Sequence, residues 1–242
     1  RDYAETIRSL VENIRSLVDP TSHPLLERRE SNVEGRGSVC AIASSDRGLC
    51  GGFNAQILKK ALEHIRSRTG EDVDVVTIGH RAEQAMKRAG LHILASFDAI
   101  SNAPSYARTL PIGTLLSDEF LSGRAASVFI VYMNFTSAVT QTPIVTQLLP
   151  ILPEIGHAFR TSSIAAGDEP SILFEPSPHD VLATLLPRLL EMRIYQALLE
   201  SSASEHSSRM FAMRSATDNA SDMLQDLSFT YHQARQATIT RE

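Results

Sequence analysis

The chain has 242 residues, 43% hydrophobic and 21% charged, with a net charge of −5. That is an ordinary globular composition with ample length for a core, and the acidic balance excludes the basic footprint of a general nucleic-acid binder. Cys40 and Cys50 are too few for a disulfide framework, and neither a signal peptide nor an apolar run approaching the ~20 residues of a membrane span is expected.

The opening RDYAETIRSLVENIRSLV places Tyr3, Ile7, Leu10, Ile14 and Leu17 at alternating steps of four and three, which is a heptad seam. Asp19-Pro20 ends this helix, since the residue before a proline disfavours the helical region. A polar connector over 20–37 follows. Between 38 and 176, short strands rich in Val, Ile and Phe alternate with helical patterns. The strands are SVCAIAS (38–44), VDVVTIG (73–79), HILASF (92–97) and SVFIVYMNF (127–135). The helices are Ala55–Arg68, Arg81–Ala89 and Ser105–Ser122, the last weakened by Pro111 and Gly113. This alternation predicts βαβ units and an α/β, Rossmann-like, mostly parallel sheet. Gln141–Ile151 and Ser171–Phe174 are weaker strand candidates, with a loop over Ile155–Pro170.

Ser177-Pro178-His179-Asp180 then supplies a helix cap, a proline at the first helical position and an acid at the third. The segment 177–242 contains no glycine, and about 65 helical residues would span ~97 Å at 1.5 Å per residue. Pro187, about two turns in, is expected to kink it. From Leu199 to Thr238 a seam through Met210, Met213, Leu224, Leu227 and Tyr231 runs in steps of four and three without a slip. Such a seam needs a partner, and the helix over 1–19 supplies part of one. The expected arrangement is an antiparallel coiled coil of the two terminal helices with the α/β domain inserted between them. Both ends of the chain read as cut from longer helices. Small or polar core positions such as Ala203, His206, Thr217 and Ala220 suit a rod that works inside something else.

Three stretches carry a family resemblance: SDRGLCGGFN, NFTSAVTQTPIVTQLLP and LFEPSPHDVLATLLPRLL. With the block from ALLESSASEHSSRM to ATITRE they closely resemble the gamma subunit of F-type ATP synthases, over nearly the whole chain. The GLCGGFN form is similar to bacterial members, and the plastid members' cysteine-pair insert is absent. The resemblance implies a non-catalytic central-stalk rotor subunit without cofactors. Its partners would be the alpha, beta and epsilon subunits and the c-subunit ring. It would be peripheral to the cell membrane on the cytoplasmic side, touching the membrane only through that ring. Proton-driven rotation of ring and shaft would force the three catalytic sites of the alpha/beta hexamer through different states. Carried over by motif, Arg209, Arg235, Gln236, Thr240 and Glu242 match positions that touch the hexamer, and Glu175 matches a contact with the c ring. Phe174 stands where the family often has Tyr, so no hydroxyl contact is carried over there.

The Gly-rich loop over 46–54 carries the alternative, a nucleotide-binding α/β enzyme. A P-loop needs Gly-Lys-Ser/Thr after its glycines and a dinucleotide fingerprint needs G-x-G-x-x-G, whereas Gly51-Gly52 precede Phe53-Asn54. Cys50 near a helix start is a candidate nucleophile, but no base partner is identifiable. The loop is therefore read as a structural turn, with Gly48, Gly51 and Gly52 supplying positive φ angles and Asn54 capping the next helix. The eight histidines show no metal spacing; His206 on the seam is expected to pack against the partner helix. Glu205 and Asp218 are read as a solvated face or a subunit contact. A free-standing coiled-coil scaffold is a third reading, disfavoured because it needs no α/β domain.

Overall fold

The computed structural model describes residues 23–27, 37–68, 70–151 and 177–241. The predicted first helix, most of the connector, the loop over 155–170, the candidate strand over 171–174, Glu175 and Glu242 lie outside these residues. Five strands form one sheet: β1 (Gly37–Ala43), β2 (Val73–Ile78), β3 (Ile93–Phe97), β4 (Ala125–Phe135) and β5 (Gln141–Leu149). Helices α1 (Phe53–Ser67), α2 (His80–Arg88) and α3 (Tyr106–Leu121) connect the first four strands, and α4 (Pro178–Arg241) follows the sheet. The strand order is β3-β2-β1-β4-β5, parallel except for the β4–β5 pair. Only that pair is joined by a tight turn, closed by Ser137 N–H to Thr140 O at 3.0 Å. So short a connection permits an antiparallel return and no crossover.

Alternation along the strands divides the core into two layers. Val39, Ala41, Ala43, Val128 and Ile130 face α3 and the first half of α4. Cys40, Ile42, Val75, Val131 and Met133 face Phe53, Ile57 and Ala61 of α1 and Ala82 and Met86 of α2. On α4 the buried stripe is Leu182, Leu186, Leu189, Leu190, Ile194, Ala197 and Leu198, spaced for one helix face. The helix runs continuously through Pro187. The proline leaves the Ala183 carbonyl without its helical partner, at a cost of ~3 kcal/mol. Burial of the four flanking leucines, at ~1.5–3 kcal/mol each, outweighs that loss. Beyond Ala212 every described residue of α4 is exposed, including Leu224, Leu227 and Tyr231. One continuous helix is thus half core element and half bare rod.

Candidate functional site

The loop after β1 is held by its own side chains. Asn54 does not cap α1; Gly52 occupies the cap with φ −81°. The Asn54 amide instead turns back, its Oδ1 accepting Ser45 N–H at 3.1 Å and its Nδ2 donating to Ser45 Oγ at 2.8 Å and Cys50 Sγ at 3.1 Å. The positive φ angles fall on Leu49 (61°) and Gly51 (56°), not on Gly48 or Gly52. Leu49 tolerates the left-handed turn because its side chain is 75% exposed, so nothing packed depends on its direction. Gly48 has another task. A Cβ there would lie 3.0 Å from Arg81 Nη2, and its carbonyl oxygen is an acceptor for Arg209.

The same loop fills the N-terminus of α2, where an anion would otherwise bind. Asp46 Oδ1 accepts His80 N–H at 3.2 Å, Ser45 O accepts Arg81 N–H at 3.2 Å, and Ser44 Oγ accepts Ala82 N–H at 2.8 Å. This loop satisfies three of the four unpaired amides of that helix end, and the fourth, Gly79 N–H, donates to Phe97 O at 2.9 Å. Asp46 Oδ2 also accepts the Ser101 hydroxyl at 2.8 Å, tying in the segment after β3. Cys50 is buried against Asn54 and Ser45, and no basic side chain meets its sulfur among the described contacts. Burial pushes the Cys40 thiol up to about 12, so it is a neutral core group. His80, Glu83 and Asp98 bring ligand atoms within 4.8 Å of one another, but Lys87 Nζ already sits 2.5 Å from Glu83.

In an open α/β sheet, ligands bind outside the carboxyl ends of the strands where strand order reverses, here between β1 and β4. That crevice is occupied by α4. Ser201 Oγ donates to Ala43 O at 3.4 Å and Ser204 Oγ to Met133 O at 3.4 Å. Ser207 Oγ donates to Ala138 O at 2.8 Å, Ser208 Oγ to Gln141 Oε1 at 2.7 Å, and His206 Nε2 lies 3.4 Å from Asn102 O. Glu205, read from sequence as solvated or a subunit contact, is only 1% exposed and is paired with Arg209 Nη2 at 2.6 Å. The helix crosses the strand ends, which sequence spacing does not reveal; the i, i+4 Glu–Arg spacing was the available signal. The switch-point crevice is thus taken by α4, and the cavity of about 340 Å³ that remains beside Gly51 and Gly52 is lined, among the described residues, by no charged side chain, which sets the nucleotide-enzyme alternative aside.

The site residues carried over by motif do not converge. Arg209 lies at the crevice mouth, with Nε and Nη2 each 3.4 Å from Gly48 O. Arg235, Gln236 and Thr240 lie on the exposed far turns of α4, roughly 39 Å away at 1.5 Å per residue. There Thr240 Oγ1 donates to Gln236 O at 2.8 Å. Gly48, Gly51 and Gly52 stand with Arg209 at the near end, Gly51 facing Ser208 and Ala212. Among the described residues the arrangement contains a braced helix exit and an exposed tip, and no constellation of nucleophile, base and oxyanion donors.

A family model described as "ATP synthase" matches residues 1–242. The chain is 39% identical over 242 residues to the ATP synthase gamma chain of Heliobacterium modesticaldum, covering 100% of this chain and 81% of that one. It is 37% identical over 244 residues to that of Dehalococcoides mccartyi strain CBDB1, with the same coverage. Among solved structures, the fold resembles a chain of the Tetrahymena thermophila mitochondrial ATP synthase central stalk and c ring, with TM-score 0.58 and 20% identity over 88% of this chain and 94% of that one. A chain of the Euglena gracilis mitochondrial OSCP/F1/c-ring structure gives TM-score 0.59 and 15% identity, covering 100% of this chain and 86% of that one.

Proposed function

Because the chain belongs to the ATP synthase gamma-chain family, we propose that it rotates as the central stalk of that complex and makes no bond itself. The observation that carries this reading is the division of α4. Its first half is welded into the α/β domain, and its last turns stand exposed with an apolar row at Leu224, Leu227 and Tyr231. In this proposal residues 38–176 form the domain, 20–37 the connector, and 1–19 pairs with 177–242 as the shaft.

The far tip, with Arg235, Gln236, Thr240 and Glu242, contacts the alpha/beta hexamer. Arg209 faces the hexamer at the near end, where Nη1 is not used by Glu205 or Gly48. Glu175 faces the c ring, and epsilon binds beside the α/β domain. Each orientation of an asymmetric shaft stabilises a different conformation of each beta subunit, so rotation becomes a sequence of site affinities. No described helix is long and apolar enough to cross a membrane. Attachment is therefore proposed through the c ring, on the cytoplasmic face of a bacterial membrane.

The test is assembly. A tagged full-length chain is expected to bring alpha, beta and epsilon with it, and Leu224→Glu or Leu227→Glu should reduce coupled ATP synthesis at least tenfold. Ser221→Glu should change it less than twofold. Recovery of the chain without alpha and beta, or equal effects at all three positions, would refute the reading.

A further inference from the structure

The last buried turn of α4 is polar. Glu205 is 1% exposed, lies 2.6 Å from Arg209 one turn on, and Arg209 reaches Gly48 O of the Gly-rich loop with two nitrogens at 3.4 Å. Below this turn the helix packs through Leu182 to Leu198; beyond it the helix is bare. Twisting the exposed rod therefore loads this turn first. The interdigitated leucine stripe fixes the angle of the helix deeper in the domain, but it ends at Leu198. At the exit the Glu205 carboxylate orients the Arg209 guanidinium along the helix, and the guanidinium's Nε and Nη2 both reach across to Gly48 O. The loop that receives it is braced in turn by Asn54 on Ser45 and by Asp46 on α2 and Ser101.

We propose that Glu205, Arg209 and the Gly48 carbonyl form a torsional clamp that fixes the rotational setting of α4 where it leaves the α/β domain. Torque then passes between rod and domain through this turn. Glu205 and Arg209 act as positioning residues: the carboxylate orients the guanidinium, and the guanidinium holds the loop. The proposal rests on the central-stalk reading, and it assigns Arg209 a role inside its own chain.

The test uses the assembled complex in inverted membrane vesicles, carrying Glu205→Gln, Arg209→Gln or both. Two quantities are read: proton uptake per ATP hydrolysed, and amide exchange over 44–52 and 201–212. Arg209→Gln should halve the ratio or worse and raise exchange in both segments at least tenfold, because it releases the Gly48 carbonyl and strands a buried carboxylate. Adding Glu205→Gln removes the stranded charge but restores no guanidinium at Gly48, so both losses should persist in the double variant. The same rise in exchange in the isolated full chain separates the clamp from a contact of Arg209 with another subunit. Recovery of both quantities in the double variant, or unchanged exchange in the Arg209 variant, would overturn the clamp. If Arg209→Gln does not accumulate, Arg209→Lys serves, with a three- to fivefold rise in exchange expected and no rise overturning the proposal. Failure of the unaltered chain to assemble with alpha and beta would instead overturn the stalk reading, while the exchange comparison on the full chain still decides the clamp.

Discussion

Gly79 and Gly90 both have positive φ, 96° and 71°, yet their surroundings differ. A Cβ at Gly90 would meet nothing within 4 Å, whereas one at Gly79 would lie 2.4 Å from Ser44 O and 3.0 Å from Ser44 Oγ. Gly90→Ala thus carries only the left-handed strain of ~1–2 kcal/mol, offset by ~0.4–1 kcal/mol from a stiffer unfolded chain. Gly79→Ala adds about 1–3 kcal/mol of overpacking. Its ψ of 142° also places it where glycine alone is at ease. Moving Ser44 away would disturb its acceptance of Ala82 N–H at 2.8 Å, worth about 1 kcal/mol. The two substitutions should therefore differ by about 2–4 kcal/mol, which at ~2–4 °C per kcal/mol for a chain of this size is roughly 4–16 °C in Tm. Urea and thermal unfolding of the purified chain measure both. Equal losses would show that the junction of β1, the Gly-rich loop and α2 yields freely, and that the loop is not the rigid brace described above.

Three further outcomes are expected. The purified chain should neither hydrolyse ATP nor bind it at micromolar concentration by calorimetry; binding abolished by altering Gly51 and Gly52 would contradict the filled crevice. Cys50→Ser should leave coupled ATP synthesis within twofold, because a hydroxyl can accept the Asn54 amide in place of the sulfur; normal assembly with lost synthesis would assign the thiol a role. Cys40 stays protonated in the fold up to about 12 while an unfolded thiol ionises near 9.0. Its contribution is therefore fully present below pH 9 and falls above it by about 1.4 kcal/mol per pH unit. The stability difference between the native chain and Cys40→Ala should shrink accordingly from pH 8 to 10.5, and a constant difference would refute the assignment.

The strands over 37–43 and 73–78 were legible because their β-branched runs are short and bounded by glycine or polar residues. β4 begins at Ala125, earlier than its Val- and Phe-rich run, since Ala125 pairs with Gly37 across the sheet, and alanine carries little strand signal. The capping role assigned to Asn54 failed for a related reason: the side chain had a tertiary partner in Ser45 that outweighed the local cap. The largest gap was the stretch from Ser201 to Arg209. As a sequence it reads as a polar helix surface, because hydrogen bonds to strand ends more than sixty residues away leave no local period. Those serines are buried or half-buried acceptor-seeking groups, not solvated ones.

The polar character of that stretch bears on what the fold has become. A sheet of this order offers an anion site at a helix N-terminus and a ligand crevice at its switch point, and fold alone would permit a nucleotide at both. Here Ser44, Ser45 and Asp46 take the helix end, and Ser201, Ser204, Glu205 and Arg209 take the crevice. A long helix that needed only anchoring would be served by the leucine stripe already present on α4. The stripe sets the angle about the helix axis deeper in the domain, and directional bonds where the helix leaves the domain hold that angle beyond the point where the stripe ends. A rotating shaft requires that angle to be the same at both ends. The crevice that elsewhere holds a ligand has become the socket that maintains this angle.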